Sequence, residues 1–132
     1  MGNFFEWDQA KFTVRVSEMD REHQTLIGLM NKLHVLYSDK APKADVGRAL
    51  DELAKYTIKH FADEEAYMAK IHFDGLDMHK RIHKELLTKV TNHIGAFQAS
   101  GSLNDDFFAF LKMWLKSHIC GIDIKYGLAS AK

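Results

Sequence analysis

Seven residues that can bind metal recur along this chain at spacings that suit helices. They form a single residue and three pairs: His23; His60 and Glu64; His79 and His83; His118 and Asp123. Two of the pairs are four residues apart, an offset of about 40° on an α-helix, so both side chains of such a pair face the same way. Imidazole nitrogens bind iron well, and carboxylates can bridge two cations while offsetting their charge. The set therefore predicts a metal site with room for two ions.

The two four-residue pairs are also symmetric about one point of the chain. His60 and His83 are equally distant from the bond between residues 71 and 72, and so are Glu64 and His79. Two antiparallel helices that turn at this point would place the four side chains at matching heights. The symmetry indicates a helical hairpin that carries the central part of the site.

The full order of these residues resembles the ligand order of the hemerythrin family, and of its single-domain bacterial members in particular. The similar text begins at Trp7–Asp8, in an N-terminal arm, and includes the run from Trp114 to Ile119, then Asp123 and Lys125–Tyr126–Gly127. It covers nearly the whole chain. The complete set is specific, whereas each pair alone is a weak signal.

This resemblance implies a centre of two iron ions joined by an oxide or hydroxide, with dioxygen as the ligand. The histidines would divide three and two: His79, His83 and His118 on one iron, His23 and His60 on the other. Glu64 and Asp123 would bridge the irons. One position of the two octahedral irons then stays open, and the resemblance puts it on the iron held by two histidines.

The third pair needs a departure from regular helix. His118 and Asp123 are five residues apart, which turns their side chains by about 140° from each other on an ideal α-helix. They can share one site only if the helix deforms or ends between them. Gly121 lies in this interval and makes such an ending easy, because glycine adopts the helix-terminating conformation without a Cβ clash.

Five apolar residues flank the predicted ligands, and the resemblance assigns them to the wall of an oxygen pocket. They are Leu26, Phe61, Trp114, Leu115 and Ile119. Ordinary core packing is the alternative role for these positions. A dry pocket would exclude the water and protons that help to oxidise the irons. The remaining histidines (His34, His72 and His93) lie too far along their helices, or in a turn, to join the site.

Hydrophobic periodicity predicts an all-α protein, an up-down-up-down four-helix bundle with an N-terminal arm and a short C-terminal segment. The first helix would run from Asp20, as its N-cap, to Tyr37. The others would cover residues 46–68, 76–97 and 107–119, the last opened by Asn104–Asp105. In an up-down bundle all predicted ligands then lie at the same end.

Composition limits the number of domains, the kind of partner and the cellular location that we expect. A length of 132 residues with 46% hydrophobic residues suits a single domain over residues 1–132. Eighteen basic and eighteen acidic residues cancel, which argues against nucleic acid as a partner. No apolar run approaches the roughly 20 residues of a membrane span. Cys120 is the single cysteine, and no secretory signal precedes the arm, so we expect a reducing, cytoplasmic location.

The imidazole-rich ligand set bears on function. Ferritin-like di-iron enzymes use Glu-rich sites with Glu-x-x-His pairs, and no such pair occurs in this sequence. We therefore expect a non-enzymatic protein that binds dioxygen reversibly, for storage or for delivery to a separate oxygen-using enzyme. The sequence does not determine the oligomeric state, and a monomer is the favoured expectation. Two alternatives stay open. One is an oxygen, redox or nitric oxide sensor that acts through a separate partner, and the other is a di-iron enzyme or iron-handling protein.

Overall fold

The computed structural model describes residues 5–101, 103–119 and 123–130, and six helices lie within them. Their bounds are α1 Gln9–Phe12, α2 Ser17–Ser38, α3 Lys43–Lys70, α4 Leu76–Ser100, α5 Asp105–His118 and α6 Ile124–Ser130. The described residues contain no strand. The four long helices α2 to α5 have short connections and form a bundle, with α1 in an arm before it and α6 in a segment after it. The predicted fold class is confirmed.

The predicted apolar stripes form the core of the bundle. In α3 buried side chains recur at helical spacing from Val46 to Met68, and in α5 they do so from Phe107 to His118. Helix α4 is covered less completely, since Leu86, Leu87 and Ile94 stay half-buried. Periodicity therefore identified the inward faces, while the depth of burial depends on how closely neighbouring helices approach.

The helix ends follow local signals at several places. Asn104 is the N-cap of α5, as predicted, and its side chain accepts a hydrogen bond of 3.0 Å from the amide of Phe107. Gly101 ends α4 in the left-handed conformation, with φ of 79°, which glycine adopts without strain. The predicted hairpin turn near residues 71 and 72 lies between α3 and α4.

The predicted start of the first long helix was wrong. Helix α2 begins at Ser17, and Asp20 is a buried residue of its first turn instead of an N-cap. Its carboxylate accepts hydrogen bonds from the amide of Val14 at 2.8 Å and from the hydroxyl of Thr13 at 2.6 Å. Asp20 has the side chain of a capping residue, but donors from the arm occupy it. The aspartate thereby ties the arm to the bundle.

The chain order places the predicted site at one end of the bundle. His23 lies early in α2, His60 and Glu64 late in α3, His79 and His83 early in α4, as expected for antiparallel neighbours. Within the described ranges, no helix has the length and apolar character that crossing a membrane requires. Cys120 and Gly121 lie outside the described residues.

We expect Asp20→Ala to destabilise the protein by about 1–3 kcal/mol, because it leaves the buried amide of Val14 without its acceptor. Urea denaturation measures the loss. Glu18→Ala is the matched control, since Glu18 is an exposed acid in the same helical turn. Its removal costs the same favourable interaction with the helix dipole that Asp20→Ala costs. Equal stability of the two variants would contradict the role given to Asp20.

Candidate metal centre

The structure brings all seven predicted residues together in the interior of the bundle. Each is at most 4% exposed. Four long helices and the segment around α6 contribute to the cluster, so its assembly depends on the complete bundle. The other histidines are elsewhere: His34 packs edge-on against Phe108 with ring centroids 4.9 Å apart, and His93 stacks on Phe110 at 5.2 Å.

The side chains form two overlapping donor groups. Within each group one donor atom from every residue lies within 4.8 Å of all the others. The first group is Glu64, His79, His83, His118 and Asp123, and the second is His23, His60, Glu64 and Asp123. The two carboxylates belong to both groups, and the histidines divide three and two. This geometry agrees with the arrangement that the resemblance implies.

The polar contacts within the cluster all converge on the two carboxylates. Asp123 Oδ1 lies 2.9 Å from Nε2 of both His79 and His118, and Oδ2 lies 3.0 Å from Nε2 of His23. Glu64 Oε1 lies 3.2 Å from Nε2 of both His60 and His83. Each carboxylate thus contacts histidines of both groups, a position from which it could serve two metal ions.

The orphaned polar atoms of the cluster test whether metal ions fit. Among the described residues, Nε2 of four histidines (His23, His79, His83 and His118) has no hydrogen-bond partner, and neither do Glu64 Oε1 and both oxygens of Asp123. A buried polar atom without a partner is costly, and lone pairs that face one another repel. Cations between these atoms would satisfy them together. The donor set therefore fits two metal ions with nitrogen-rich coordination.

The deformation expected between His118 and Asp123 is present. Helix α5 ends at His118, and the backbone at Ile119 and at Asp123 is of the π-helical type, in which a hydrogen bond spans five residues instead of four. Such a hydrogen-bond span suits ligands five residues apart, and Nε2 of His118 lies 2.9 Å from Oδ1 of Asp123. Single π-turns inside helices are frequent at functional sites.

Two outer carboxylates hold histidines of the cluster, and sequence reasoning missed both. The Nδ1–H of His60 donates to Glu22 at 2.7 Å, and that of His83 donates to Glu65 at 2.9 Å, since an ionised carboxylate can only accept. Each bond holds its ring so that Nε2 is directed into the cluster. Glu22 and Glu65 adjoin His23 and Glu64 in sequence, but their contacts cross between helices and follow no spacing rule.

Tyr126 of α6 is a third residue that the sequence analysis did not assign. It is fully buried, and its hydroxyl donates a hydrogen bond of 2.6 Å to Glu64 Oε2. Burial, reinforced by the charge of Glu64, raises the pKa of Tyr126, so the phenol stays protonated and remains a donor. Its one sequence signal was its place in the stretch Lys125–Tyr126–Gly127. Tyr126 orients the shared carboxylate from outside the donor groups.

The apolar residues predicted to line a pocket are all buried beside the cluster. Phe61 stacks on His83 with ring centroids 3.8 Å apart and lies 5.9 Å from the ring of His60. Trp114 meets Phe61 edge-on at 5.9 Å. A groove of about 320 Å³ between α4 and α5 reaches Trp114 and His118 from the surface. Phe61 therefore packs more closely on the group of three histidines than on the group of two.

Opposite charges in the cluster shift each other's pKa values. Burial alone would raise the pKa of Glu64, but the positive charge of His60 and contacts with neighbouring histidines hold it well below its usual 4.5. Burial alone would lower the pKa of His60, but the negative charge of Glu64 and the bond to Glu22 raise it to about 10. In metal-free protein, a proton on His60 thus compensates the negative charge of Glu64. Metal binding at His60 displaces this proton.

We expect the melting temperature of metal-free protein to fall as pH rises from about 6.5 towards 10. The raised pKa of His60 contributes stability that is fully present below 6.5 and is lost as pH rises through about 10. The lowered pKa of Glu64 contributes stability above 4.5 that is lost as pH falls. Thermal denaturation of chelator-treated protein measures the trend. A melting temperature that climbs from pH 6.5 to 10 would contradict the raised pKa of His60.

Comparisons with known proteins give the same assignment by an independent route. Residues 14–127 match the family model of the hemerythrin HHE cation binding domain. The chain is 40% identical to the myohemerythrin of Riftia pachyptila over 122 residues, which are 92% of this chain and 90% of that protein. It is 32% identical to the bacteriohemerythrin of Stenotrophomonas maltophilia (strain R551-3), over 89% of this chain and 76% of that protein.

Solved structures agree with these relatives. A wild-type hemerythrin crystal structure superposes with a TM-score of 0.89 at 29% identity, covering 97% of this chain and 98% of that one. A hemerythrin with one leucine replaced by alanine gives a TM-score of 0.91 at 28% identity, over 99% and 100% of the two chains. By its matched domain, its relatives and its fold, this chain belongs to the hemerythrin family.

Proposed function

We propose that this protein holds two iron ions and binds dioxygen reversibly, for storage or for delivery to an oxygen-using enzyme. The observation that supports the proposal most directly is the pair of donor groups that share Glu64 and Asp123. His79, His83 and His118 would hold one iron, and His23 and His60 the other. When bound, the iron pair supplies the electrons that dioxygen accepts on binding and returns on release.

The chain's own residues contribute three things to this function. The imidazoles are neutral donors, and Glu64 and Asp123 offset the charge of two cations in the core. Glu22, Glu65 and Tyr126 fix the orientation of inner residues by hydrogen bonds. Because these supports are already in place around the donor groups, little reorganisation accompanies metal binding.

Exclusion of water is the third contribution. Leu26, Leu115 and Ile119 are each at most 1% exposed, and each lies within three residues of His23 or His118 in the sequence. Apolar walls keep water and protons from the site, and both promote the irreversible loss of electrons from ferrous iron. Reversible binding depends on this dryness as much as on the ligands.

Anaerobic reduction followed by oxygen titration, watched by absorbance, tests the function as a whole. We expect uptake of one dioxygen per chain, because only one coordination position is proposed to be open, and its return under vacuum. Steady consumption of an added reductant in the presence of oxygen would instead favour an enzyme. Uptake that vacuum cannot reverse would contradict a role in storage or delivery.

Metal content is the first prediction of this proposal. Anaerobic reconstitution with ferrous iron, in buffers free of zinc, should load two irons per chain by elemental analysis. Zinc must be absent, since it outcompetes ferrous iron at nitrogen ligands. Asp123→Ala should load well below two, because it removes a carboxylate common to both donor groups. His34→Ala is the control, a histidine outside the cluster that should not alter loading. Saturation of the unaltered chain at one iron would rule out the proposal.

The second prediction concerns Leu115, which precedes His118 by about one helical turn on nearly the same face. We expect Leu115→Ala to speed conversion of the oxygenated protein to the ferric form, with little change in iron content, because a smaller side chain admits water. The autoxidation rate, with iron measured on the same samples, reports this.

Leu111→Ala is the matched control for that experiment. Leu111 is equally buried in α5 but lies seven residues before His118, about 10 Å along the axis. Both variants should lose about 2–5 kcal/mol of stability from the cavity they create. If the two oxidise at the same rate, Leu115 is ordinary core packing and the dry-pocket explanation fails.

A further inference from the structure

One outer carboxylate is linked to a charged pair on the surface. Glu22 is 16% exposed, so it lies between the buried ring of His60 and solvent. Its Oε1 accepts from His60, while its Oε2 lies 3.8 Å from Nζ of Lys59. Lys59 also forms an ion pair of 2.7 Å with Asp63, one turn further along α3. A continuous chain of charged contacts therefore runs from the surface of α3 to the group of two histidines.

A carboxylate bonded to a metal-binding imidazole acts on the metal through the ring. It selects the tautomer that keeps Nε2 free for the metal, and it makes the imidazole a stronger donor because the Nδ1 proton is drawn towards the negative charge. A stronger donor favours ferric over ferrous iron. A cation beside the carboxylate draws its charge away and opposes the effect.

We propose that Glu22 is a positioning residue for His60, and that Lys59 moderates its charge, so that this surface network sets the reduction potential of the iron held by His23 and His60. The inference rests on the proposed function, because it requires iron in that donor group. It assigns a role to two residues that donate no atom to either donor group. It also predicts opposite effects for the acid and the base, which no purely structural role would produce.

Charge and orientation can be separated by two substitutions of Glu22. Glu22→Gln keeps an oxygen that accepts from Nδ1–H but removes the charge, so it should raise the reduction potential with little loss of metal affinity. Glu22→Ala removes the acceptor as well, and should weaken binding of one of two Co²⁺ ions, used as a probe, by about 10- to 100-fold. Competition with a chelator measures the affinity, and reductive titration with mediator dyes measures the potential.

The substitution Lys59→Gln tests whether the base shifts the reduction potential in the opposite direction to the acid. The side chain is 61% exposed, so the variant should fold normally. Removing this cation should lower the potential, and the change should shrink at high ionic strength because salt screens an exposed charge. Glu18→Gln is the control, an exposed acid one turn before Glu22 on the same helix, and should leave the potential unaltered.

The outcomes of these experiments distinguish a failure of this inference from a failure of the proposed function. Opposite shifts for Glu22→Gln and Lys59→Gln in a chain that holds two irons support it. Two irons with unshifted potentials in both variants, or shifts of the same sign, overturn the inference and leave the proposed function standing. An unaltered chain that holds fewer than two irons overturns the proposed function, and the inference falls with it.

Discussion

Two carboxylates buried among five imidazoles are the constraint on which the rest of this structure depends. Glu64 and Asp123 have no exposed surface, and ionised groups in such a place need compensating charge close by. The required partners come from α2, α3, α4 and α5 together, so the cluster can form only when all four helices are in register. The far end of the bundle, by contrast, is held by apolar packing around residues such as Leu33, Phe97 and Phe108. Charged contacts thus determine the structure of one end of the bundle, and close packing of apolar side chains determines the other.

The two donor groups sit in different surroundings. The rings of His79, His83 and His118 pack against one another and against Phe61, with centroids 3.8 to 6.1 Å apart, which makes that side dense and aromatic. On the other side, His60 is attached to a charged network that reaches solvent through Glu22. The group of three histidines also reaches outward, through the bond from His83 to Glu65. The two groups therefore share the inner carboxylates and have one outer carboxylate each, and they differ in how many rings pack together.

Much of this could be predicted because the signals are local. Period and spacing along single helices identified the bundle, the hairpin near residues 71 and 72, and the seven clustered side chains. The errors and omissions all involve contacts between elements. Asp20 was misread as a cap because its partners lie in the arm, and Glu22, Glu65 and Tyr126 were missed because each acts on a residue of another helix or segment. Spacing along one helix does not tell which side chains of another helix meet it, except where a symmetric hairpin such as the one at residues 71 and 72 relates the two helices.

The π-type backbone at Ile119 and Asp123 changes how the third pair should be understood. A π-type hydrogen bond spans five residues where an α-helical one spans four, so π-type backbone suits ligands spaced by five as an α-helix suits ligands spaced by four. Each of the three pairs then has the spacing that suits the backbone type described around it. Spacing at this position is accordingly a poor criterion for finding distant homologues. Chains shorter by one residue here could present the same ligands on an unbroken α-helix.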